Sequence, residues 1–289
     1  MPDMTLAGMM RILICVSALT SSSLALTTCD LLDDLFPQKP AGDKQLTRIK
    51  AGLTINETLH YPTREELFRL LYHGQTSPYA HLATTEEEGR RLGSAQATKE
   101  TINREIRTIL GHRPRFIIEV GSFVGGSASQ VWGPMVQPTG GMVLCVDTWQ
   151  GDVNMRLGPA FQEAMQLKNG FPNLWTTFMS RMIESGMADT VFPLSMPSLT
   201  AARLLAVLHW KIDVAYVDSA HEQGETLIEL HMYYQLLRPG GVLLGDDYEW
   251  PAVKHDVDLF AKCRNLNVKL LRHDKGGRVN TWLLIKPES

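Results

Sequence analysis

The run Phe116-Ile-Ile-Glu119-Val-Gly121-Ser-Phe123-Val-Gly125-Gly126-Ser127 constrains this chain more than any other. A short apolar strand pattern feeds a glycine-rich turn, and a helical pattern follows over Ser127–Val136. Glycine lets the backbone turn sharply and approach a ligand closely. The helix behind it offers unpaired N–H groups at its amino end. The order is E-x-G-x-x-x-G, not the G-x-G-x-x-G that cradles a pyrophosphate. A dinucleotide site is therefore disfavoured. A ligand with both a carboxylate and an ammonium group, such as the methionine end of S-adenosylmethionine (SAM), suits the glycines and the Glu119 carboxylate.

From Arg115 onward, short apolar runs alternate with amphipathic segments, which predicts βαβ units and a parallel sheet. Strands are expected at Phe116–Val120, Met142–Val146, Val191–Leu194, Val214–Val217, Val242–Leu244, Val268–Leu271 and Thr281–Ile285. Helices are expected at Ser127–Val136, Trp175–Glu184, Leu199–Leu208, Glu222–Leu237 and Ala252–Cys263. The class is α/β: a Rossmann-like, seven-stranded, mostly parallel sheet with helices on both faces and an N-terminal helical extension. In that extension Thr63-Arg-Glu-Glu66 is a capping box, Gly74 ends the helix it opens, and a second helix is read from Thr98 to Leu110. The chain divides into a leader (1–28), a linker (29–60), a helical flank (61–112) and a catalytic domain (113–289).

Three further motifs carry chemistry. Val143-Leu-Cys-Val-Asp147-Thr-Trp149 puts a carboxylate at the end of the second strand, 28 residues after Glu119. An acid there can accept ribose hydroxyls or cap a helix, and Trp149 can stack on adenine or pack in the core. Ile212-Asp-Val-Ala-Tyr-Val-Asp218-Ser-Ala-His221 ends a strand in an acid, with a histidine three residues on. Leu237-Arg-Pro-Gly240-Gly241 leads through Val242-Leu-Leu-Gly245 to Asp246-Asp247. Neighbouring strands four and five would bring Asp218, Asp246 and Asp247 together. Three carboxylates repel one another unless a cation lies among them, and an all-oxygen donor set favours Mg²⁺, with Ca²⁺ or Mn²⁺ as alternatives.

With these motifs in this order, the stretch from Arg115 to Ile285 resembles the class I SAM-dependent methyltransferases. It is most similar to the metal-dependent branch that includes catechol O-methyltransferase, macrocin-type sugar O-methyltransferases and cephalosporin-hydroxylase-like proteins. The resemblance implies a last strand that runs antiparallel. It implies SAM contacts at Glu119, Gly121, Phe123, Gly125 and Ser127, with Asp147 on the ribose and Ser195 near the adenine. It implies metal ligands at Asp218, Asp246 and Asp247. The catechol enzymes carry Asn and Lys where this chain has Asp247 and His221. The macrocin-type branch commonly has Asp and His, which points to a sugar or another small-molecule hydroxyl as acceptor. His221 is then the general base, since an unperturbed imidazole titrates near neutral pH. Trp250-Pro251 and the loop Gly151–Pro159 would border the substrate pocket.

Composition narrows the partners. The net charge is -3 with no Lys/Arg run, which argues against a nucleic-acid surface. Arg11, an apolar stretch over Ile12–Leu19 and a small-residue run to Thr28 form either a signal peptide or a disordered or transit-type leader. The stretch is too short and hydroxylated for a stable membrane span. Location is thus secretory or organellar through that leader, and otherwise cytoplasmic. Asn56-Glu-Thr58 is a glycosylation sequon that matters only on the secretory route. Cys15, Cys29, Cys145 and Cys263 form no C-x-x-C pair and read as free thiols that pack as small hydrophobes. A homo-oligomer is compatible with the sequence. Competing functions are a nicotinamide-dependent oxidoreductase, a non-catalytic SAM-binding module and a hydroxylase-like enzyme on the same fold.

Overall fold

The computed structural model describes residues 30–35, 55–56, 58–75, 77–80, 82, 99–219, 221–271 and 280–288. The leader, Cys15, Cys29 and most of the expected linker lie outside the described residues.

Strand β1 (Phe116–Val120) is buried along its whole length. So are β2 (Met142–Asp147) up to its last residue and β4 (Ile212–Val217). Apolar runs of this kind, wet on neither face, belong to central parallel strands. With β3 (Val191–Ser195), β5 (Leu237–Gly245), β6 (Lys269–Leu271) and β7 (Thr281–Ile285) they form a seven-stranded sheet in the order β3-β2-β1-β4-β5-β7-β6. Strands β1 to β5 pair in parallel, while β7 runs antiparallel to both β5 and β6. The chain reverses its direction of travel across the sheet between β1 and β4, so a ligand crevice is expected at their carboxyl ends.

Alternation along each strand sends side chains to opposite faces. Phe116, Ile118 and Val120 join one core with Leu144, Phe192, Leu230 and Phe260. Ile117 joins the other, with Val143, Tyr216, Leu244, Ile102, Ile106, Trp132 and Phe178. The first core is covered by α2 (Arg64–Leu71), α8 (Ser198–Leu208), α9 (Glu225–Leu236) and α10 (Pro251–Cys263). The second is covered by α3 (Lys99–Leu110), α4 (Gly133–Val136) and α7 (Leu174–Glu184). Thr63 caps α2 by accepting from the Glu66 N–H.

Several local readings are corrected. A π turn, Ala128–Trp132, interrupts the helix expected at Ser127–Val136, and the Gly133 N–H reaches back five residues to the Ala128 carbonyl. Pro134 lacks an N–H and its ring crowds the carbonyl four residues earlier, so a widened turn relieves the clash. The rim loop 151–159 holds a helix, α5 (Val153–Leu157), capped by Asp152 accepting from the Met155 N–H at 2.7 Å. A second, α6 (Pro159–Met165), follows it. Helix α9 begins at Glu225, three residues later than expected. Gly224 sits at φ 93, and Asp256 of α10 accepts the N–H groups of Gly224 and Leu227. The Arg-Pro-Gly-Gly run lies within β5 as an irregularity in its pairing with β4 rather than ahead of it.

The expected linker also contains structure. Residues 30–35 form helix α1, Leu32 is buried in the first core, and Asp33 takes both terminal guanidinium nitrogens of Arg264, at 2.6 and 3.2 Å. Cys145 is a buried free thiol as expected. Cys263 is not free; it is disulfide-bonded, and its partner lies outside the described residues. Among the described residues no helix is long and apolar enough to cross a membrane.

Candidate active site

A cleft of about 270 Å³ opens at the carboxyl ends of β1, β2 and β4, where the sheet order reverses. Gly121 forms its floor at φ 85, and a Cβ there would lie 2.1 Å from the Asp218 carbonyl oxygen. Only glycine lets β1 end this close to β4. Gly125 holds φ 75, a conformation that favours glycine, and a Cβ there would crowd the Met182 methyl and the Phe178 ring at 2.5 and 2.9 Å.

Asp147 ties two turns together. Its Oδ2 accepts the Phe123 N–H at 2.8 Å and its Oδ1 accepts the Trp149 N–H at 2.6 Å. The Trp149 indole N–H donates to the Phe123 carbonyl at 2.8 Å, closing the clamp. Phe123 and Trp149 both hold positive φ, 45° and 55°, a strained state for large side chains that clusters at functional sites. Burial pushes the Asp147 carboxyl up, and the N–H groups of Trp149 and Phe123 pull it back.

Gly121, Phe123, Asp147, Asp218 and His221 all line the cleft. Other expected ligand contacts lie elsewhere. Glu119 is fully buried behind the wall, where Ser127 donates to its Oε1 and the Cys145 thiol to its Oε2. Burial pushes its carboxyl up to about 7. Trp149 is 1% exposed and packs against Trp175 and Phe178, with ring centroids at 4.7 and 5.0 Å; its ring is core, not cleft wall. Ser195 ends β3 with its side chain exposed, while the next three residues, Met196, Pro197 and Ser198, line the cleft.

Asp218, His221 and Asp247 bring ligand atoms within 4.8 Å of one another. His221 Nε2 meets Asp247 Oδ2 at 3.0 Å, and its Nδ1 faces Asp152 Oδ2 at 3.6 Å. The carboxylates of Asp152 and Asp247 push the imidazole up to about 10, so it is an imidazolium at neutral pH. Asp218 is half-buried and accepts from the Tyr216 hydroxyl at 3.0 Å. Burial, then the nearby Asp246 and Asp247, push its carboxyl up to about 8. Asp247 is held below the usual range by its bond to His221.

Consecutive residues past a strand point opposite ways. Asp246 accordingly turns to β7, accepting from the Thr281 hydroxyl at 3.0 Å. Asp247, at φ 57, turns to His221 and accepts from Asn280 Nδ2 at 3.0 Å. His221 takes the place expected for Asp246 in the close group. Trp250 stands beside it, 5.5 Å between ring centroids.

Sequence reasoning missed two groups here. Asp152 had no motif of its own; its value comes from the loop that carries it to His221. Glu229 lines the cleft from α9 and accepts from the Ser219 hydroxyl at 2.5 Å, and burial pushes its carboxyl up. A lone acid flanked on its helix by the buried Thr226, Leu227, Leu230 and Tyr233 was the signal available for it.

A doubly wound sheet, a glycine floor at its switch point and an acid closing β2 define the nucleoside-binding class of α/β fold. Residues 118–248 match the family model described as a methyltransferase domain. No curated protein matches the sequence. Similar solved structures include cofactor-bound Rv0187 from MTB (14% identity, covering 89% of this chain and 96% of that one, TM-score 0.48). Others are an O-methyltransferase from Bacillus cereus in complex with SAH (13%, 92% and 100%, 0.46) and the O-methyltransferase TomG from Streptomyces achromogenes in complex with SAM (18%, 65% and 79%, 0.45). At these values the likeness is loose, and the fold is defined by the strand order given above.

Proposed function

We propose that residues 113–289 form a SAM-dependent O-methyltransferase acting on a hydroxyl of a small molecule or sugar. The observation that carries this reading is the grouping of Asp218, His221 and Asp247, the first two of which line the cleft that holds Gly121 and Asp147. SAM, when bound, supplies an electrophilic methyl group. The Gly121–Phe123 turn would receive its amino-acid end. The Asp147 oxygens accept N–H groups of the two turns, and a carboxylate with about four lone-pair sites would take a ribose hydroxyl beside them.

The acidic group suits a divalent cation such as Mg²⁺. Asp218 and Asp247 would hold it, and the repulsion from Asp246 and Asp247 that adds to burial in raising Asp218 is what a cation relieves. Such an ion would supply positive charge that favours the ionised form of a substrate hydroxyl. His221 is placed to move the acceptor's proton through Nε2. It does so only after losing its own proton, which Asp152 and Asp247 now hold in place. Trp250 and α5 border this space and would keep water from it.

Titration of SAM into the purified protein, with and without Mg²⁺, tests the reading. Micromolar affinity, about -8 kcal/mol, supports it, and absence of heat in both conditions overturns it. His221→Ala is expected to lower turnover of an accepted substrate by about 10²–10⁴-fold while SAM affinity stays unchanged. Undiminished turnover would remove His221 from the proton path.

A further inference from the structure

Asn56-Glu-Thr58 is the only N-x-S/T triplet among the eight asparagines of the chain. Asn56 and Thr58 are both exposed. The Thr58 hydroxyl donates to Asn56 Oδ1 at 2.7 Å, and the Thr58 N–H donates to the same oxygen at 3.0 Å. Two donors on one atom settle which end of the carboxamide is oxygen, because an amide NH₂ accepts nothing. The turn therefore holds the oxygen against the chain and leaves Nδ2 as the outward end.

The place in the fold matters as much as the turn. His60 accepts the Lys211 N–H at 2.6 Å and bridges to Trp210, just ahead of β4. Its ring is bonded to the Thr58 carbonyl at 2.8 Å. The triplet is thus tethered at the amino end of the sheet. The cleft lies at the carboxyl end, one strand length away, about 20 Å for six residues. A large group on Asn56 would clear the cleft.

Cys263 supplies an independent observation. It is disulfide-bonded, and persistent disulfides belong to oxidising compartments. The leader pattern of residues 12–28 points the same way.

We propose that this chain matures in the secretory pathway and carries an N-linked glycan on Asn56. Nδ2 bonds to the anomeric carbon of an oligosaccharide donor activated as a lipid-linked diphosphate. The carbon–oxygen bond to the diphosphate breaks, its electron pair leaves with the diphosphate, and the amide proton passes to a base on the transferring enzyme. The proposal does not depend on the methyl-transfer reading.

The test is expression of the full chain, leader included, in a secreting eukaryotic cell, followed by digestion with a peptide N-glycosidase. The expected result is a gel shift lost on digestion, with residue 56 recovered as aspartate by mass spectrometry. Asn56→Gln and Thr58→Ala should each abolish the shift, and Thr58→Ser should retain it. The thermal unfolding midpoint after digestion should be the same in all of these proteins, which separates a modification site from a folding defect. Recovery of the chain with unmodified Asn56, or a shift that survives Asn56→Gln, overturns the proposal.

Discussion

Strand β4 has an aspartate near each end, and the two live in opposite surroundings. At the amino end, Asp213 is fully buried and fully partnered. It accepts from Arg238 Nε at 2.6 Å, the Tyr61 hydroxyl at 2.7 Å and the Arg115 N–H at 2.7 Å. Just past the carboxyl end, Asp218 sits half-buried against two more carboxylates, and a tyrosine hydroxyl is its bonded neighbour. One end spends a buried charge on holding β1, β4, β5 and the N-terminal flank together. The other crowds three carboxylates beside a single imidazolium, which is the arrangement a binding site uses and a scaffold avoids.

The largest effect should come from breaking the closed end. Arg238→Met strands the Asp213 carboxylate without its cation and is expected to cost about 3–5 kcal/mol in urea unfolding. Adding Asp213→Asn should recover part of that loss. A cost near zero would mean the two ends do not differ as described.

Glu119 is next, a third buried acid with no cation beside it. Its carboxyl titrates near 4.5 in ordinary surroundings and at about 7 in the fold. Between those values the unfolded chain has shed a proton that the folded chain keeps. Stability therefore falls as pH rises through this window, and the full cost, on the order of 3 kcal/mol, stands above it. Glu119→Gln should remove that slope when denaturation midpoints at pH 5 and pH 8 are compared. An unchanged slope would assign it to other groups.

The smallest effect sharpens the contrast from the open end. Asp218→Asn, measured with a chelator present at pH 9, where the Asp218 carboxyl is ionised, should raise stability by about 1 kcal/mol as it removes one of three repelling charges. It should abolish methyl transfer. A destabilised Asp218→Asn protein would show that this end is structural too.

The extent to which the sequence could be read follows from the same physics. Strands β1 and β7 run over the residues their apolar patterns indicated, because burial on both faces leaves an unbroken run with turn residues at its ends. The π turn was hidden because Pro134 acts on a carbonyl a turn away, not on its own position. The helix at 30–35 is too short for a helical period to register. The positions of Asp147 and Asp218 at the cleft, and of Asp247 beside His221, were legible as acids at strand ends. The partners that aim them were not: Asp152, Asn280 and Thr281 come from distant chain, and the backbone reversal at Asp247 is set by packing. The disulfide at Cys263 left no spacing to read.

Strand β7 is made after the strands it joins, yet it sits inside the sheet, between β5 and β6. A ribosome delivers the chain amino end first. Until residues 280–285 emerge, Asp246 lacks Thr281, Asp247 lacks Asn280, and β6 has no strand to pair with. Meanwhile β5 presents Val242, Leu243 and Leu244 as a bare apolar edge, the kind of surface that seeds aggregation. Translation that stops short of Asn280 would therefore yield a client for chaperones and proteases rather than a slow enzyme.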